Sequence, residues 1–179
     1  MPTDGEAEGS AGTVLDIMAP ENFDAFYRRE LAGLVAFARA LAGPGYAEDI
    51  AQDAMLTAYR HWREVSRLDS PAAWVRRVCA NRAVSALRRR GVEARALVRL
   101  GSRRAPADPA PREYEEFWAE VRRLPRRQAQ VVALHYIYDL GVAEIASTLG
   151  CAEGTVKVHL SRGRAALGSR LNMEQVELS

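Results

Sequence analysis

Three groups of side chains in this sequence have the types and spacing to do chemistry, and in each case the chemistry is binding. Toward the C-terminus, Thr155, Lys157, His159, Ser161, Arg162 and Arg164 share one side of a helical pattern, with no carboxylate between Glu153 and residue 171. Hydroxyl, imidazole and guanidinium groups on one face can donate to base edges and neutralise phosphates. Earlier in the chain, Arg76, Arg77, Asn81, Arg82, Ser85, Arg88, Arg89 and Arg90 form a second cationic face, and the run from Arg76 to Arg104 holds ten arginines against one acid, Glu93. Such a block is either a solvated surface or a stripe that binds phosphates. The third group is acidic: Glu48, Asp49 and Asp53 cluster at the start of a helical pattern. Glu48 and Asp49 complement a helix dipole, whereas Asp53 lies beyond the first turn with Asp49 at i−4, a repulsive spacing that suits a basic partner.

Catalytic chemistry has little to stand on. The only histidines, His61, His135 and His159, lie in separate helical stretches and belong to no metal or nucleophile motif. Cys79 and Cys151 lack paired spacing, so they form neither a disulfide framework nor a zinc site, and both read as small buried residues. We therefore expect no enzyme, no metal and no cofactor. No apolar run approaches a membrane span and the N-terminus lacks a signal pattern, so a cytoplasmic protein without membrane insertion is expected.

The elements that must carry these groups are helices. From Val142 to Ala166, two helical patterns are joined by Gly150, Cys151 and Ala152, a break short enough to force a steep crossing, as in a helix-turn-helix. Val142, Ile145, Ala146 and Leu149 make one apolar face. Val156, Leu160 and Leu167 make the other, with Gly163 where the helices approach closely. The second helix is about fifteen residues or roughly 22 Å long, which fits a major groove.

Upstream, Asn22 to Leu41 is an amphipathic helix capped by Asn22, and Gly43-Pro44-Gly45 stops it. A second helix runs from about Ala47 to Glu64. Ser70 and Pro71 open a third, to about Arg90, burying Trp74, Val75, Val78, Cys79, Ala83 and Leu87. Gly91 to Arg112 reads as a linker broken by glycines and prolines. As a coil its 22 residues span roughly 26 Å and at most about 73 Å, so, with the domains' own width, the two halves could reach sites two duplex turns, about 70 Å, apart. A final domain starts near Glu113, with a helix ending at Pro125 and another from Arg126 to Tyr138.

The fold class expected is all-α: two small helical domains joined by a flexible linker. The boundaries are a disordered tail at 1–20, a first domain at 21–90, the linker at 91–112, a second domain at 113–171 and a short tail at 172–179. The 179 residues are 48% apolar, enough for two small cores, and the net charge of only +2 places the signal in how charge is distributed.

Four stretches in this order resemble the sigma factors of bacterial RNA polymerase, sigma-70 family, in the small extracytoplasmic-function (ECF) group: Ala47 to Trp62, Ser70 to Arg90, Leu124 to Gly150 and Glu153 to Leu167. The resemblance makes the first domain sigma region 2 and the second sigma region 4. It implies that Asp49, Gln52, Asp53 and Leu56 dock on core RNA polymerase. It also implies that Arg76, Arg77, Asn81, Arg82, Ser85, Arg88 and Arg89 hold the opened minus-ten element of promoter DNA. Glu153, Thr155, Lys157, Val158, His159, Ser161, Arg162 and Arg164 correspond to the reader of the minus-thirty-five element. An anti-sigma factor is a further partner that the resemblance admits, although no residue marks one.

The chain departs from the family pattern on the reading face. Ala152 replaces a capping Ser at a cost of about 1 kcal/mol, Val158 and His159 stand where Ser and Arg are usual, and Ser161 stands where His is common. The docking mode carries over while the promoter sequence does not. The competing reading is a helix-turn-helix regulator acting without polymerase, which predicts a ligand pocket or a self-complementary seam in residues 22–90 and leaves both charged faces of that domain unexplained.

Overall fold

The computed structural model of the chain describes residues 22–98 and 112–171, with side-chain surroundings for 22–86 and 114–171. The tails, the segment 99–111 and the side chains of Leu87, Arg88 and Arg89 lie outside the described residues, and with them the expectations placed there. All regular structure described is helical.

Helix α1 (Phe23–Ala42) starts where Asn22 Oδ1 accepts from the Ala25 amide at 2.8 Å, a side-chain cap for an otherwise orphaned donor. Its buried face is Phe26, Leu34, Phe37, Ala38 and Leu41, and Gly43 ends it at φ 88°. After one 3-10 turn at Pro44–Tyr46 comes α2 (Ala47–Arg60), which buries Ile50, Ala51, Ala54, Met55 and Ala58. The expected continuation to Glu64 is broken: His61 leaves helical geometry (φ −113°, ψ 19°) and a short α3 (Trp62–Val65) follows. The Trp62 ring packs tilted on Phe26 at 4.8 Å and edge-to-face on Phe23 at 5.3 Å, holding the redirected turn.

Helix α4 (Pro71–Val98) opens on Ser70, whose Oγ accepts from the Ala73 amide at 3.1 Å. Val75, Cys79, Ala80, Ala83 and Val84 face the core, while Trp74 and Val78 are only half-buried against it. The helix passes through Gly91 to Val98, beyond the expected stop, since a lone glycine costs only about 1 kcal/mol in a helix. The Cys79 thiol donates to the Leu34 carbonyl at 3.8 Å, and burial pushes its pKa up to about 12 despite the opposing Arg82 charge. Cys151, by contrast, is only partly buried.

The second domain consists of α5 (Arg112–Val121), α6 (Arg126–Tyr138), α7 (Val142–Leu149) and α8 (Glu153–Leu171). Asp139 takes the left-handed conformation (φ 51°) that turns α6 toward α7. Glu144 Oε2 accepts from the Gly141 amide at 2.9 Å, fixing the start of α7.

The buried apolar residues of both domains join in one continuous cluster. Helix α1 packs against α5 and α6, and α4 against α7. The two halves were expected to be tethered at a distance, yet here they touch.

Candidate nucleic-acid and protein interfaces

The C-terminal face follows from the helix-turn-helix. Gly150 adopts the left-handed conformation (φ 63°) open to glycine, and the Cys151 amide donates back to Ala146 O at 3.0 Å, closing α7 in a tight turn. Val156, Leu160, Gly163 and Leu167 face inward. A Cβ on Gly163 would sit 2.8 Å from Val132 Cγ2, so α8 lies against α6 at a separation only glycine permits. This inward side leaves Glu153, Thr155, Lys157, Val158, Ser161 and Arg162 exposed together, with His159 partly so.

Arg164 is the exception on that face. His135 Nδ1 is 3.0 Å from Leu140 O, an atom that can only accept, so Nδ1 carries the proton and Nε2 accepts from Arg164 Nη2 at 2.8 Å. The Arg164 guanidinium also lies 5.9 Å over the Tyr136 ring. It is folded back on α6 while its neighbours point to solvent.

On α2, Asp49, Gln52, Asp53 and Leu56 are all exposed, with Leu56 offering an apolar centre among polar neighbours. Only Asp53 has an internal partner: its Oδ2 is 3.3 Å from Arg82 Nη1, and Arg82 Nη2 also donates to Thr57 Oγ1 at 2.8 Å. Both side chains of this ion pair are well exposed, so it contributes at most about 1 kcal/mol.

The face of α4 is held differently. Arg76, with 18% of its side chain exposed, donates to Glu30 Oε2 at 3.0 Å and lies 4.1 Å over the Tyr138 ring. Asn81 Oδ1 accepts from Arg126 Nη2 at 2.6 Å, and Ser85 Oγ donates to Asn81 O at 2.9 Å. Arg77 is exposed. The structure therefore brings Asn81, Arg82 and Ser85 together on the side of α4 that faces α2, whereas Arg76 turns inward to Glu30 and Tyr138, and Arg76, Asn81 and Arg82 are all engaged inside the molecule. Asn81, Arg82 and Ser85 also line an open cavity of about 550 Å³ with Ile50, Asp53 and Ala86. That volume falls within the range of small-ligand sites, roughly 300–1,000 Å³.

Three residues central to this arrangement carried no reading in the sequence: Glu30, Gly33 and Tyr138. Glu30 had a signal, a carboxylate among Phe26, Leu34 and Phe37 on an apolar stripe, and it is buried at 7% exposure. Tyr138 had none. Burial raises its phenol well above the usual range, with Arg76 opposing in part.

Among the described residues no helix is long and apolar enough to cross a membrane, and no group of three or more His, Cys, Asp or Glu residues could hold a metal. Residues 26–92 match the family described as sigma-70 region 2, and residues 114–167 match sigma-70 region 4. The chain is 30% identical over 148 residues to the ECF RNA polymerase sigma factor EcfG of Rhodopseudomonas palustris, covering 80% of this chain and 82% of that protein. It is also 30% identical over 154 residues to the ECF sigma factor SigM of Mycobacterium tuberculosis, covering 83% and 76%. In three dimensions it resembles the sigma factor RpoE of Bartonella quintana, solved with the anti-sigma factor NepR, at a TM-score of 0.69 and 25% identity, covering 86% of this chain and 98% of that one. CnrH, solved with the cytosolic domain of CnrY, shares the fold at a TM-score of 0.60 and 20% identity, covering 86% and 89%. Both sigma regions are present in order, which a regulator independent of polymerase does not explain. The chain belongs to the ECF group of the sigma-70 family, as a non-enzymatic initiation factor that directs RNA polymerase to promoters.

Proposed function

We propose a division of that task among the three faces. The α2 patch of Asp49, Gln52, Asp53 and Leu56 docks on a basic helical surface of core polymerase, the α4 face of Arg76, Arg77, Asn81, Arg82, Ser85, Arg88 and Arg89 holds the separated minus-ten strand, and α8 reads the minus-thirty-five duplex. Correspondingly, residues 21–90 and 113–171 act as the two binding domains and 91–112 connects them. The observation that carries this reading is the sidedness of α8: Val156, Leu160, Gly163 and Leu167 are buried, while Thr155, Lys157, Val158, Ser161 and Arg162 stand free on the opposite side. A cationic, hydrogen-bonding helix face of this kind fits the major groove.

On α4, guanidinium groups neutralise phosphates of the unpaired strand, and unstacked bases gain about 1–3 kcal/mol each on flat side chains. The cavity beside Asn81, Arg82 and Ser85 has room for a base and offers an amide, a hydroxyl and a guanidinium to its edge. The protein works in the cytoplasm, where its polymerase is. Because RpoE was solved with the anti-sigma factor NepR, an anti-sigma factor is also part of this reading. Run-off transcription with purified core enzyme and a promoter library tests it: defined start sites that require the added chain support it, and no start site above core alone refutes it.

A further inference from the structure

One side chain on the outward face of α8 has no hydrogen bond to offer. Val158 is 46% exposed, and among the described residues it is the only large apolar side chain that α8 leaves open to solvent. It stands about half a turn round the helix from the buried line of Val156, Leu160, Gly163 and Leu167, in the middle of the outward face. Its neighbours along that middle line are small. Gly154 lies four residues before it, where an added Cβ would meet nothing within 4 Å, and the exposed Ala165 lies seven residues after. Thr155, Ser161 and Arg162, three and four residues away, flank it and are exposed. Val158 therefore projects from the helix among groups that can hydrogen-bond, without being one of them.

Nothing in the fold of the chain asks for this residue. A β-branched side chain lowers helix propensity, and Val158 is absent from the hydrophobic core. The charge around it, Lys157 and Arg162 with no carboxylate between Glu153 and residue 171, selects a polyanion. On the major-groove edges of duplex DNA the bases present donors and acceptors, and the one apolar group among them is the C5-methyl of thymine. Pressed against a purine edge, a valine would strip water from polar atoms and replace none of the lost hydrogen bonds. Against a thymine methyl, both partners lose apolar surface to each other.

We propose that Val158 is a specificity-determining residue that reads the C5-methyl group of one thymine in the promoter duplex. At that position the chain distinguishes thymine from uracil, and 5-methylcytosine from cytosine. The proposal rests on assigning α8 to the minus-thirty-five duplex, and it adds to that assignment a base and an atom. Arg162 supplies an attraction to phosphate that is the same for every sequence and fades with salt. Val158 supplies a preference that carries no charge and does not depend on salt.

The test uses the holoenzyme formed from the full-length chain and core polymerase. A randomised duplex library selected with it yields the bound upstream element, and each thymine of that element is replaced in turn by deoxyuridine, which lacks only the methyl group. Competition binding followed by fluorescence anisotropy gives the affinities. Uracil at one position should weaken binding about fourfold, the scale of one buried methyl-sized group. That factor should hold as salt is raised, while the overall affinity falls. At the same position 5-methylcytosine should bind more tightly than cytosine by a similar factor. Val158→Ser, with its fold verified by thermal melts, should bind the thymine and uracil duplexes equally. If no thymine shows a uracil penalty that Val158→Ser removes, the proposal is overturned. Failure of the reading-helix assignment would show separately, as an affinity for the selected duplex that Arg162→Ala leaves unchanged.

Discussion

The acidic patch on α2 and the basic face on α4 stand side by side in one domain, and they are kept in opposite states. Asp49, Gln52 and Leu56 are open to solvent, while Arg76 and Asn81 are spoken for by Glu30, Tyr138 and Arg126. Helix α8 sides with the acidic patch, since its reading face is largely uncovered. A charged stripe marks a surface that wants a partner, but the partner can belong to the same chain. Under the proposed assignment, the open faces are those that would meet duplex DNA and polymerase at first encounter, and the covered residues would be needed only after the strands part.

The largest effect that sharpens this contrast is on the open side. Charge reversal of Asp49 and Asp53 to lysine should weaken binding to core polymerase by about 100-fold or more, the scale of like charges forced together across an interface. Titration of labelled full-length protein with core enzyme measures it, and unchanged affinity would remove the patch from the interface.

Next comes the closed side. Glu30→Gln leaves Arg76 buried without its carboxylate, a loss of about 2 kcal/mol, and should lower the melting temperature by about 4–8 °C for a chain of this size. A shift within error would mean that Glu30 does not hold Arg76 in solution. On α8, Arg162→Ala should reduce the slope of log affinity against log salt for promoter duplex by about one, as for one lost phosphate contact, with little change in sequence preference. If the slope is unaltered, Arg162 does not touch phosphate.

The smallest effect concerns the cysteines. Burial holds the Cys79 pKa at about 12 against an ordinary 9.0, so the folded chain keeps this thiol protonated where the unfolded chain ionises it. The unfolded state binds fewer protons there, and alkali therefore erodes stability between about pH 9 and 12. At pH 8 a thiol reagent should modify Cys151 in the native protein and spare Cys79, read by mass spectrometry of the labelled peptides. Equal labelling would mean the first domain opens readily.

What could be read from the chain was what depends on near neighbours. Asn22 and Ser70 cap the helices they were expected to cap, and Gly163 sits where two helices come closest. The helix-turn-helix and the sidedness of α2 and α8 follow from apolar spacing that burial reproduces. What escaped was pairing across long stretches of chain. Arg76 finds Glu30 46 residues away, Arg126 finds Asn81 across 45, and Arg164 finds His135 across 29. No local pattern encodes such a meeting, because it depends on how α1 and α4 pack against the second domain. The break at His61 also went unseen, since no glycine or proline marks it; the packing of Trp62 on Phe23 and Phe26 holds it.

The contrast between an open face and a covered one can be measured directly by arginine modification with phenylglyoxal, followed by mass spectrometry of the free full-length chain. Arg162 and Arg77, both exposed, should react several-fold faster than Arg76, whose side chain is 18% exposed and paired with the buried Glu30. Equal rates for all three in the wild-type protein would contradict the account, because Arg76 would then be as free to hold DNA as the arginine on the reading helix.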